Sequence, residues 1–454
     1  MVTGGCKKGL VSSRNTMLQL EGTKCSFLFC LGICILLCFV IHLRTRAPAG
    51  PHAQSGPLSC RAFSTYCQTF LPSTTTDETL LQSHDCKVES EEGLLEHVSS
   101  QVLGCPQLLR DLHFITGSLS REEEDYPLAF ILTVHKELAL FIRLLRAIYA
   151  PHNVYCIHVD LKALPEYRAA VEHVVGCLPN AFLSSHSETV TYAGFTRLQA
   201  DINCMRDLVR SPVAWRKVVN LCGQDFPIKS NLELVRYMQS KEWRDRNMTP
   251  GVKQPPAMGH RTQFHHREVK GSHVVQWGKD QKKPPPHGLE VYFGTAYYAL
   301  TRPFVDYVLK NQVARDLLEW SRDTFSPDEH YWVTLNHIKG VPGSDLDGGW
   351  DGAIRAIKWK DQEGTAHFGC KGRYVRDICI YGLEDLQWVI DKNSMFANKF
   401  ESGNFPVALD CLELWHRNKV LQQASVPIEP SWLLATLANS TVSTSSPSNA
   451  TAGL

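Results

Sequence analysis

The stretch LAFILTVH at residues 128–135 is an apolar run with the length of a buried strand. Residues 137–150 follow it with apolar side chains at helical spacing. VYCIHVD at residues 154–160 and KVVNLC at residues 217–222 are two further runs of strand length, and amphipathic helical segments separate them. Strands that alternate with amphipathic helices predict an α/β fold with a central, mostly parallel sheet.

Ligand sites in such folds lie at the carboxyl ends of the strands. This edge of the predicted sheet includes His135, Asp160 and the turn at residues 223–225. Asp160 is a candidate for binding a ribose or a metal, and capping of the following turn is the alternative. No G-x-G-x-x-G follows the first strand and no G-x-x-x-x-G-K-S/T occurs, which argues against a dehydrogenase and a P-loop enzyme. A nucleotide-sugar transferase needs neither motif.

The flanks of this region predict a membrane protein. Residues 26–42, SFLFCLGICILLCFVIH, are long enough to cross a bilayer as a helix, so we predict a transmembrane signal-anchor at residues 25–43. A cleaved signal peptide is the alternative. The larger positive count precedes the span, which predicts a cytosolic tail at residues 1–24 and a luminal remainder; these cations are Lys7, Lys8, Arg14 and Lys24.

The luminal part is predicted to have three sections. Residues 44–120, with Pro, Ser, Thr and acidic clusters, are predicted to be a stem, and residues 121–430 to be the catalytic domain. The Ser/Thr-rich residues 431–454 are predicted to be a disordered tail. Three sequons predict N-glycosylation in this part of the chain, at Asn247, Asn439 and Asn449.

Charge and cysteine content limit the function classes further. The 454 residues include 47 Lys and Arg against 46 Asp and Glu, a net charge of +1, which argues against a nucleic-acid partner. Of the 16 cysteines, those after the predicted span indicate disulfides formed in an oxidising lumen. Their number is odd, so at least one thiol stays free or bonds another chain.

Two short motifs bear on metal and base chemistry. Asp345-Leu346-Asp347 matches the metal-binding Asp-x-Asp pattern, but it lies in the Gly-rich stretch GSDLDGG, which favours a turn. Without a metal, cationic side chains must neutralise a leaving diphosphate. Ser326-Pro327-Asp328-Glu329 favours a capping box at a helix start, and a carboxylate held there as a proton acceptor is the alternative.

Cationic side chains occur in two C-terminal segments. Cys370 and Cys379 enclose Arg373, Tyr374 and Arg376, and a bridge between the two cysteines would hold a basic loop for a ligand or merely stabilise a surface loop. Lys399 lies between aromatic residues in FANKF, where a snorkelling side chain is the alternative to a ligand contact.

Several of these segments resemble the core 2/I-branching β1,6-N-acetylglucosaminyltransferases, which are type II Golgi membrane enzymes. The resemblance covers roughly residues 105 to 415 and is carried by LLRAIYAPHNVYCIHVD, RLQADINCMRDL, NLCGQDFPIKSN, DTFSPDEHYWVTL, VRDICIYG and FANKF. It implies a GT-A-like nucleotide-sugar transferase fold without a working metal motif, a UDP-sugar donor and a glycan acceptor. It also implies a Golgi membrane location, and homodimer formation is left open.

The resemblance also implies roles for individual residues. Glu329 matches the general base that deprotonates the acceptor hydroxyl, so that the sugar is transferred from UDP-GlcNAc with inversion. Arg376 and Lys399 match the cations that replace a metal at the diphosphate. The uridine and donor-sugar side is matched by Thr133, Val134, His135, Asp160, Lys162 and Tyr192.

Cysteine pairing is implied in the same way. The pairs are Cys105–Cys177, Cys156–Cys204, Cys370–Cys379 and a stem cysteine, for which Cys67 is the candidate, with Cys411. Cys222 matches an unpaired position, and the remaining stem cysteines are left for one further bridge.

The acceptor side departs from the members that act on core 1 glycans. Thr249 and Asp361 stand where those members carry Glu and Tyr, so the chain is more similar to the I-branching members, which modify galactose in poly-N-acetyllactosamine. Arg261, Trp359 and Asp361 are the candidate acceptor-binding residues. A catalytically silent Golgi glycan-binding or scaffold protein is the alternative function, and a xylosyltransferase-like enzyme is a further one.

Overall fold

The computed structural model describes Cys67, Leu71, residues 91–100 and residues 104–434. The α-helices in this part of the chain are α1 (Glu91–Ser99), α2 (Cys105–Asp111), α3 (Arg121–Glu124), α4 (Leu138–Ile148), α5 (Pro165–Gly176), α6 (Phe195–Leu208), α7 (Asn231–Gln239), α8 (His260–Gln263), α9 (Arg302–Lys310), α10 (Gln312–Trp320), α11 (Tyr331–Asn336), α12 (Leu386–Asp391) and α13 (Pro406–Gln422). The strands are β1 (Leu128–Val134), β2 (Val154–Val159), β3 (Ala181–Leu183), β4 (Lys217–Cys222), β5 (Asp225–Pro227), β6 (Gly251–Lys253), β7 (Phe264–Val269), β8 (His273–Gln281), β9 (Tyr292–Gly294), β10 (Ala299–Thr301), β11 (Arg355–Ala356), β12 (Arg373–Val375), β13 (Ile378–Ile380) and β14 (Phe396–Asn398).

The central sheet has the strand order β10, β4, β1, β2, β3. β1 pairs in parallel with both β2 and β4, and β2 pairs in parallel with β3, whereas β10 is antiparallel to β4. The predicted α/β fold with a mostly parallel sheet is therefore confirmed. β1 and β2 are almost entirely buried, because helices cover both faces of the sheet, and such strands have nearly continuous apolar sequences.

Alternate residues of β1 point into two separate cores, as the two-residue period of a strand requires. Phe130 and Leu132 pack with α4 and α5 on one face. Ala129 and Ile131 pack with α6, α9 and α11 on the other face. The sheet is thus a middle layer between two helical layers.

A smaller sheet lies against this body, with the order β11, β14, β5. Its buried residues join α12 and α13 in a third apolar cluster, which includes Phe226, Ala397 and Leu409. β14 ends at Asn398, so this packing determines the position of Lys399. None of these short strands has enough residues to show a periodic pattern in the sequence.

Two helices upstream of residue 121 pack against the folded body. Leu94 and Val98 of α1 and Leu108 of α2 are buried in the core beside α4 and α5. The Glu91 carboxylate accepts hydrogen bonds from the backbone N–H groups of Leu138 and Ala139, which have no acceptor within α4 because they lie at its start. Part of the segment predicted as a stem therefore contributes to the fold.

Four disulfide bonds connect the described residues, and their pairs are Cys67–Cys411, Cys105–Cys177, Cys156–Cys204 and Cys370–Cys379. These are the pairs that the family resemblance implies. Cys222 is the free cysteine of the described residues. The remaining stem cysteines lie outside them.

The predictions for the chain ends fall largely outside the described residues. The tail at 1–24, the span at 25–43 and the sequons at Asn439 and Asn449 all lie there. Among the described helices, none combines the length and apolar character that a bilayer crossing requires.

The structure contradicts the predicted glycosylation of Asn247. Its side chain is buried, with 1% exposure. Nδ2 donates to Asn336 Oδ1 at 3.0 Å and to the Pro342 carbonyl at 2.9 Å, and Oδ1 accepts from the backbone N–H of Thr301 at 2.9 Å. A glycan on Nδ2 would have no access to solvent and would break these bonds, so the amide has a structural role.

We expect Asn247→Gln to lower the free energy of unfolding by about 1–3 kcal/mol, because the displaced amide leaves buried groups unpaired. The glycosidase-sensitive mass of the full-length protein should not change. Thr249→Ala is the matched control, since it removes the sequon but keeps the Asn247 hydrogen bonds, and Thr249 Oγ1 has no partner in the described structure. Loss of one glycan in both variants would contradict the structural role.

Candidate active site

The carboxyl ends of β1 and β2 bring together several residues predicted for the donor side. Thr133 Oγ1 is buried without a hydrogen-bond partner in the described part of the chain. Asp160 directly follows β2, and its backbone N–H donates to the Val134 carbonyl at 3.0 Å. Desolvation and the charge of Lys136 lower the pKa of His135. An unpaired hydroxyl at this edge is suited to a ligand hydrogen bond.

Asp160 is held in a fixed orientation by its neighbours. One carboxylate oxygen accepts from Lys162 Nζ at 2.7 Å, and the other accepts from the backbone N–H of Lys162 at 2.9 Å and of Val190 at 3.4 Å. The Asp160 side chain is nearly buried, whereas 40% of the Lys162 side chain is exposed. The pair therefore presents an oriented acceptor and a cation at the rim of the site.

Tyr192 interacts with two charged residues from distant segments, Arg376 and Glu329. The Arg376 guanidinium stacks on its ring, 4.4 Å from the centroid. Desolvation raises the pKa of the Tyr192 phenol, the charge of Glu329 raises it further, and the charge of Arg376 opposes this effect. Tyr192 is thus close to both, although 63% of it is exposed.

Arg376 lies in the two-residue turn between β12 and β13. Arg376 and Asp377 have left-handed φ angles of 51° and 61°, which a tight hairpin requires and which cost free energy for residues other than glycine. The bond between Cys370 and Cys379 closes this hairpin. The backbone N–H of Lys360 also donates to the Asp377 carbonyl at 2.8 Å, so the Arg376 turn is held on two sides.

The buried carboxylate of Asp385 holds the same hairpin in place. Asp385 accepts from Lys358 Nζ at 2.6 Å and from the backbone N–H groups of Lys371, Gly372 and Gly382. Asp385 and the sulfurs of Cys370 and Cys379 lie close enough together to resemble a metal site. However, the disulfide bond and these hydrogen bonds already occupy their ligand atoms.

Lys399 approaches the hairpin from β14. Its ammonium donates to the Val375 carbonyl at 3.1 Å, and the residue is 8% exposed. Burial lowers the pKa of Lys399, and the charge of Arg376 lowers it further. The two cations therefore repel each other in the absence of an anion, so a diphosphate between them would relieve this repulsion.

Glu329 lies in a 3₁₀ turn, Pro327–Glu329, just before α11. The predicted capping box is wrong, because Ser326 has a left-handed φ of 46° and its side chain caps nothing. Instead, the Ser326 backbone N–H donates to the Ala193 carbonyl at 2.8 Å. This bond places the turn next to Tyr192.

Arg261 is the ion-pair partner of Glu329. The Arg261 guanidinium also lies over the rings of Phe293 and Phe325, 5.1 Å and 5.3 Å from their centroids, which fixes its position. Burial raises the pKa of Glu329, and the charge and hydrogen bond of Arg261 oppose this effect. A carboxylate with a raised pKa is a stronger proton acceptor once it is ionised.

Asp328 is a neighbouring carboxylate that sequence analysis did not assign to the site. It is buried, and desolvation raises its pKa to about 7, against the charge of Arg197. Arg197 in turn donates to Asp201 at 2.6 Å, four residues further along α6. The spacing of an arginine and an aspartate four residues apart in α6 was the available sequence signal. Asp328 lies behind the turn, whereas the side chain of Glu329 is 30% exposed and can reach a ligand.

The predicted acceptor residues do not form one group. Arg261 contacts Glu329, as described above. Trp359 lies beside the Arg376 hairpin, where it forms a β-bridge with Ile378, and 37% of it is exposed. The Asp361 side chain is exposed and makes no ion pair or hydrogen bond within residues 104–434.

The free thiol of Cys222 lies at the end of β4, close to this site. Its sulfur accepts hydrogen bonds from Tyr297 Oη and Asn398 Nδ2, both at 3.4 Å. Burial raises the pKa of Cys222 to about 11, so the thiol stays protonated at neutral pH.

The comparisons with known proteins place this geometry in a family. The family model described as Branch, core-2/I-branching enzyme, matches residues 128–390, which is more than half of the chain. The matched segment contains β1, the Glu329 turn and the Arg376 hairpin. The chain belongs to the core-2/I-branching enzyme family.

Two human relatives illustrate the similarity. The chain is 48% identical to a probable beta-1,3-galactosyl-O-glycosyl-glycoprotein beta-1,6-N-acetylglucosaminyltransferase 7, over 92% of this chain and 97% of that protein. It is 51% identical to an N-acetyllactosaminide beta-1,6-N-acetylglucosaminyl-transferase, over 72% of this chain and 81% of that protein. Among solved structures, the galactosyltransferase LgtC in complex with donor and acceptor sugar analogs aligns with a TM-score of 0.33 and 9% identity, over 66% of this chain and 98% of that chain.

Removal of the Arg261 charge should move the acid side of the pH–rate profile. Arg261 favours the ionised form of Glu329 and therefore lowers its pKa. In Arg261→Gln the pKa of Glu329 should rise, so the carboxylate is protonated at a higher pH and the acid limb of kcat/KM shifts upward in pH. Arg267→Gln is the control, because Arg267 is an exposed arginine that stacks on Trp277. An unmoved acid limb in Arg261→Gln would contradict the coupling.

Proposed function

We propose that this protein is an inverting, metal-independent glycosyltransferase with a GT-A-like fold. It moves GlcNAc from UDP-GlcNAc to the 6-hydroxyl of galactose, or of GalNAc, and forms a β1,6 branch. The observation that carries the proposal is the arrangement around Tyr192, which lies beside both Glu329 and the Arg376 turn. A candidate proton acceptor and a candidate diphosphate-binding cation thus lie near the same exposed ring.

In this reaction Glu329 accepts the proton of the acceptor 6-hydroxyl. The oxygen attacks C1 of the donor GlcNAc from the face opposite UDP, and the bond from C1 to the phosphate oxygen breaks. UDP leaves with the electron pair of that bond, and the α-linked donor yields a β-linked product. One carboxylate is sufficient, since no second residue has to act as a nucleophile.

Arg376 and Lys399 neutralise the charge that develops on the leaving diphosphate. Burial lowers the pKa of Lys399, and an arriving diphosphate raises it again, because an anion favours the protonated amine. The disulfide and the Asp385 hydrogen bonds hold the Arg376 turn before the donor arrives. This preorganisation supports catalysis without a metal.

The preferred acceptor is a lactosamine chain, as in the I-branching members. Thr249 and Asp361 stand where the core 1 members carry Glu and Tyr, and the 51% identical human relative is named for N-acetyllactosaminide. The four disulfides and the apolar segment at residues 25–43 support a Golgi membrane protein whose catalytic domain is luminal.

Replacement of the base tests the mechanism. We expect Glu329→Gln to lower kcat about 10²- to 10⁴-fold, the usual contribution of a general base, while UDP binding measured by calorimetry stays unchanged. Glu319→Gln is the control, because Glu319 is an exposed carboxylate paired with Arg322. Full activity in Glu329→Gln would contradict the mechanism. UDP binding by the unsubstituted protein without transfer to any acceptor would favour the silent glycan-binding alternative, and transfer from UDP-xylose would favour the xylosyltransferase.

The role of the cations is tested together with chelation. We expect full activity in EDTA, and we expect Arg376→Met to raise the KM for UDP-GlcNAc about ten- to a hundredfold, because one charge-assisted bond to the diphosphate is lost. Arg373→Met is the matched control, since Arg373 lies in the same hairpin and pairs with Glu401 at 3.2 Å. Loss of activity in EDTA, or equal effects of the two substitutions, would contradict the proposal.

A further inference from the structure

The loop at residues 343–352 contains the Asp-x-Asp motif that no step of the proposed reaction uses. Asp345 of this loop forms an ion pair with Arg246, which lies outside the loop, as expected for a structural turn. His337 Nε2 lies 3.0 Å from the Gly348 carbonyl oxygen, and the Gly349 carbonyl accepts from the backbone N–H of Gly251 at 2.8 Å. The residue that follows these two anchored glycines is therefore held in a defined position.

That residue is Trp350, which is 58% exposed. Its ring meets the ring of Phe293 at an interplanar angle of 77°, with 6.3 Å between centroids. Phe293 also contacts the Arg261 guanidinium, which is the partner of Glu329. An aromatic surface thus extends from the side chain that pairs with the candidate base out to solvent.

We propose that Trp350 is a stacking platform for the acceptor glycan, and that it contacts the sugar next to the one that carries the reacting hydroxyl. The inference rests on the proposed function and names a part of the acceptor site that the sequence did not indicate. Trp350 connects to Glu329 through Phe293 and Arg261, so the reacting sugar lies against Glu329 and the next sugar lies against Trp350.

The chemistry of the ring favours a neutral oligosaccharide of lactosamine type. One face of a galactose or GlcNAc ring presents C–H groups, and the face of an indole carries partial negative charge and a large apolar area. Stacking on a rigid aromatic ring costs little side-chain entropy, because the loop already fixes its position. An acceptor with only one sugar would not reach this platform.

Trp277 is a suitable comparison, because it is another exposed tryptophan, at 53%, in β8. The Arg267 guanidinium covers its ring at 3.7 Å from the centroid. Trp277 has no contact with Phe293 among its described ring contacts. Its removal therefore controls for the loss of an exposed indole as such.

The experiment uses full-length protein in detergent, with methyl β-galactoside and a linear lactosamine tetrasaccharide as acceptors. In Trp350→Ala we expect the KM for the tetrasaccharide to rise about tenfold, with kcat and the KM values for methyl β-galactoside and UDP-GlcNAc unchanged. Trp350→Phe should retain most of the tetrasaccharide affinity, and Trp277→Ala should behave as the unsubstituted protein. Thermal unfolding of each variant shows that the fold is retained.

An unchanged tetrasaccharide KM, or an equal rise for both acceptors, would overturn the inference while the proposed function stands. A raised KM for UDP-GlcNAc would also overturn it, by assigning Trp350 to the donor side. If the unsubstituted protein transfers no GlcNAc, the proposed function fails. Calorimetric binding of the tetrasaccharide then decides about Trp350 by itself, and equal affinity in Trp350→Ala would overturn its role.

Discussion

Parallel pairing of β1 with both β2 and β4 is the constraint on which the site depends. Parallel strands place their carboxyl ends at one edge, so residues far apart in the chain meet there without any long-range signal of their own. Thr133, Asp160 and Cys222 all lie at this edge. The buried strands cannot shift in register without moving apolar side chains out of the two cores, so the residues at this edge have fixed positions.

Two carboxylates that are adjacent in sequence, Asp328 and Glu329, have different environments. Glu329 pairs with Arg261 and is partly exposed, whereas Asp328 is buried, and desolvation raises its pKa to about 7 against the charge of Arg197. The division matters because two ionised carboxylates this close in sequence would repel each other and an incoming phosphate. Because each carboxylate interacts with a different arginine, Glu329 can face the reacting groups while Asp328 stabilises the turn.

The sequence could predict the parts of the structure that depend on local patterns. β1, β2 and β4 are mostly apolar runs of strand length, and the Arg376 hairpin is flanked by its two cysteines. The predicted capping box was wrong because the backbone N–H of Ser326 donates to the Ala193 carbonyl, which is distant in sequence. This hydrogen bond favours a left-handed turn over a capped helix. The Asn247 sequon misled for a similar reason, since burial by Asn336 and Thr301 leaves no local trace. The sequence resemblance indicated Arg261 and Glu329 separately, but only the fold shows that they form a pair.

The packing of residues upstream of the predicted catalytic domain has a practical consequence for protein production. A fragment that begins at residue 121 would leave Cys177 and Cys411 without their partners, Cys105 and Cys67. It would also lose the Glu91 carboxylate at the start of α4. In an oxidising secretory pathway, two unpaired thiols can form wrong bridges. A soluble fragment designed for crystallisation therefore has to begin before Cys67.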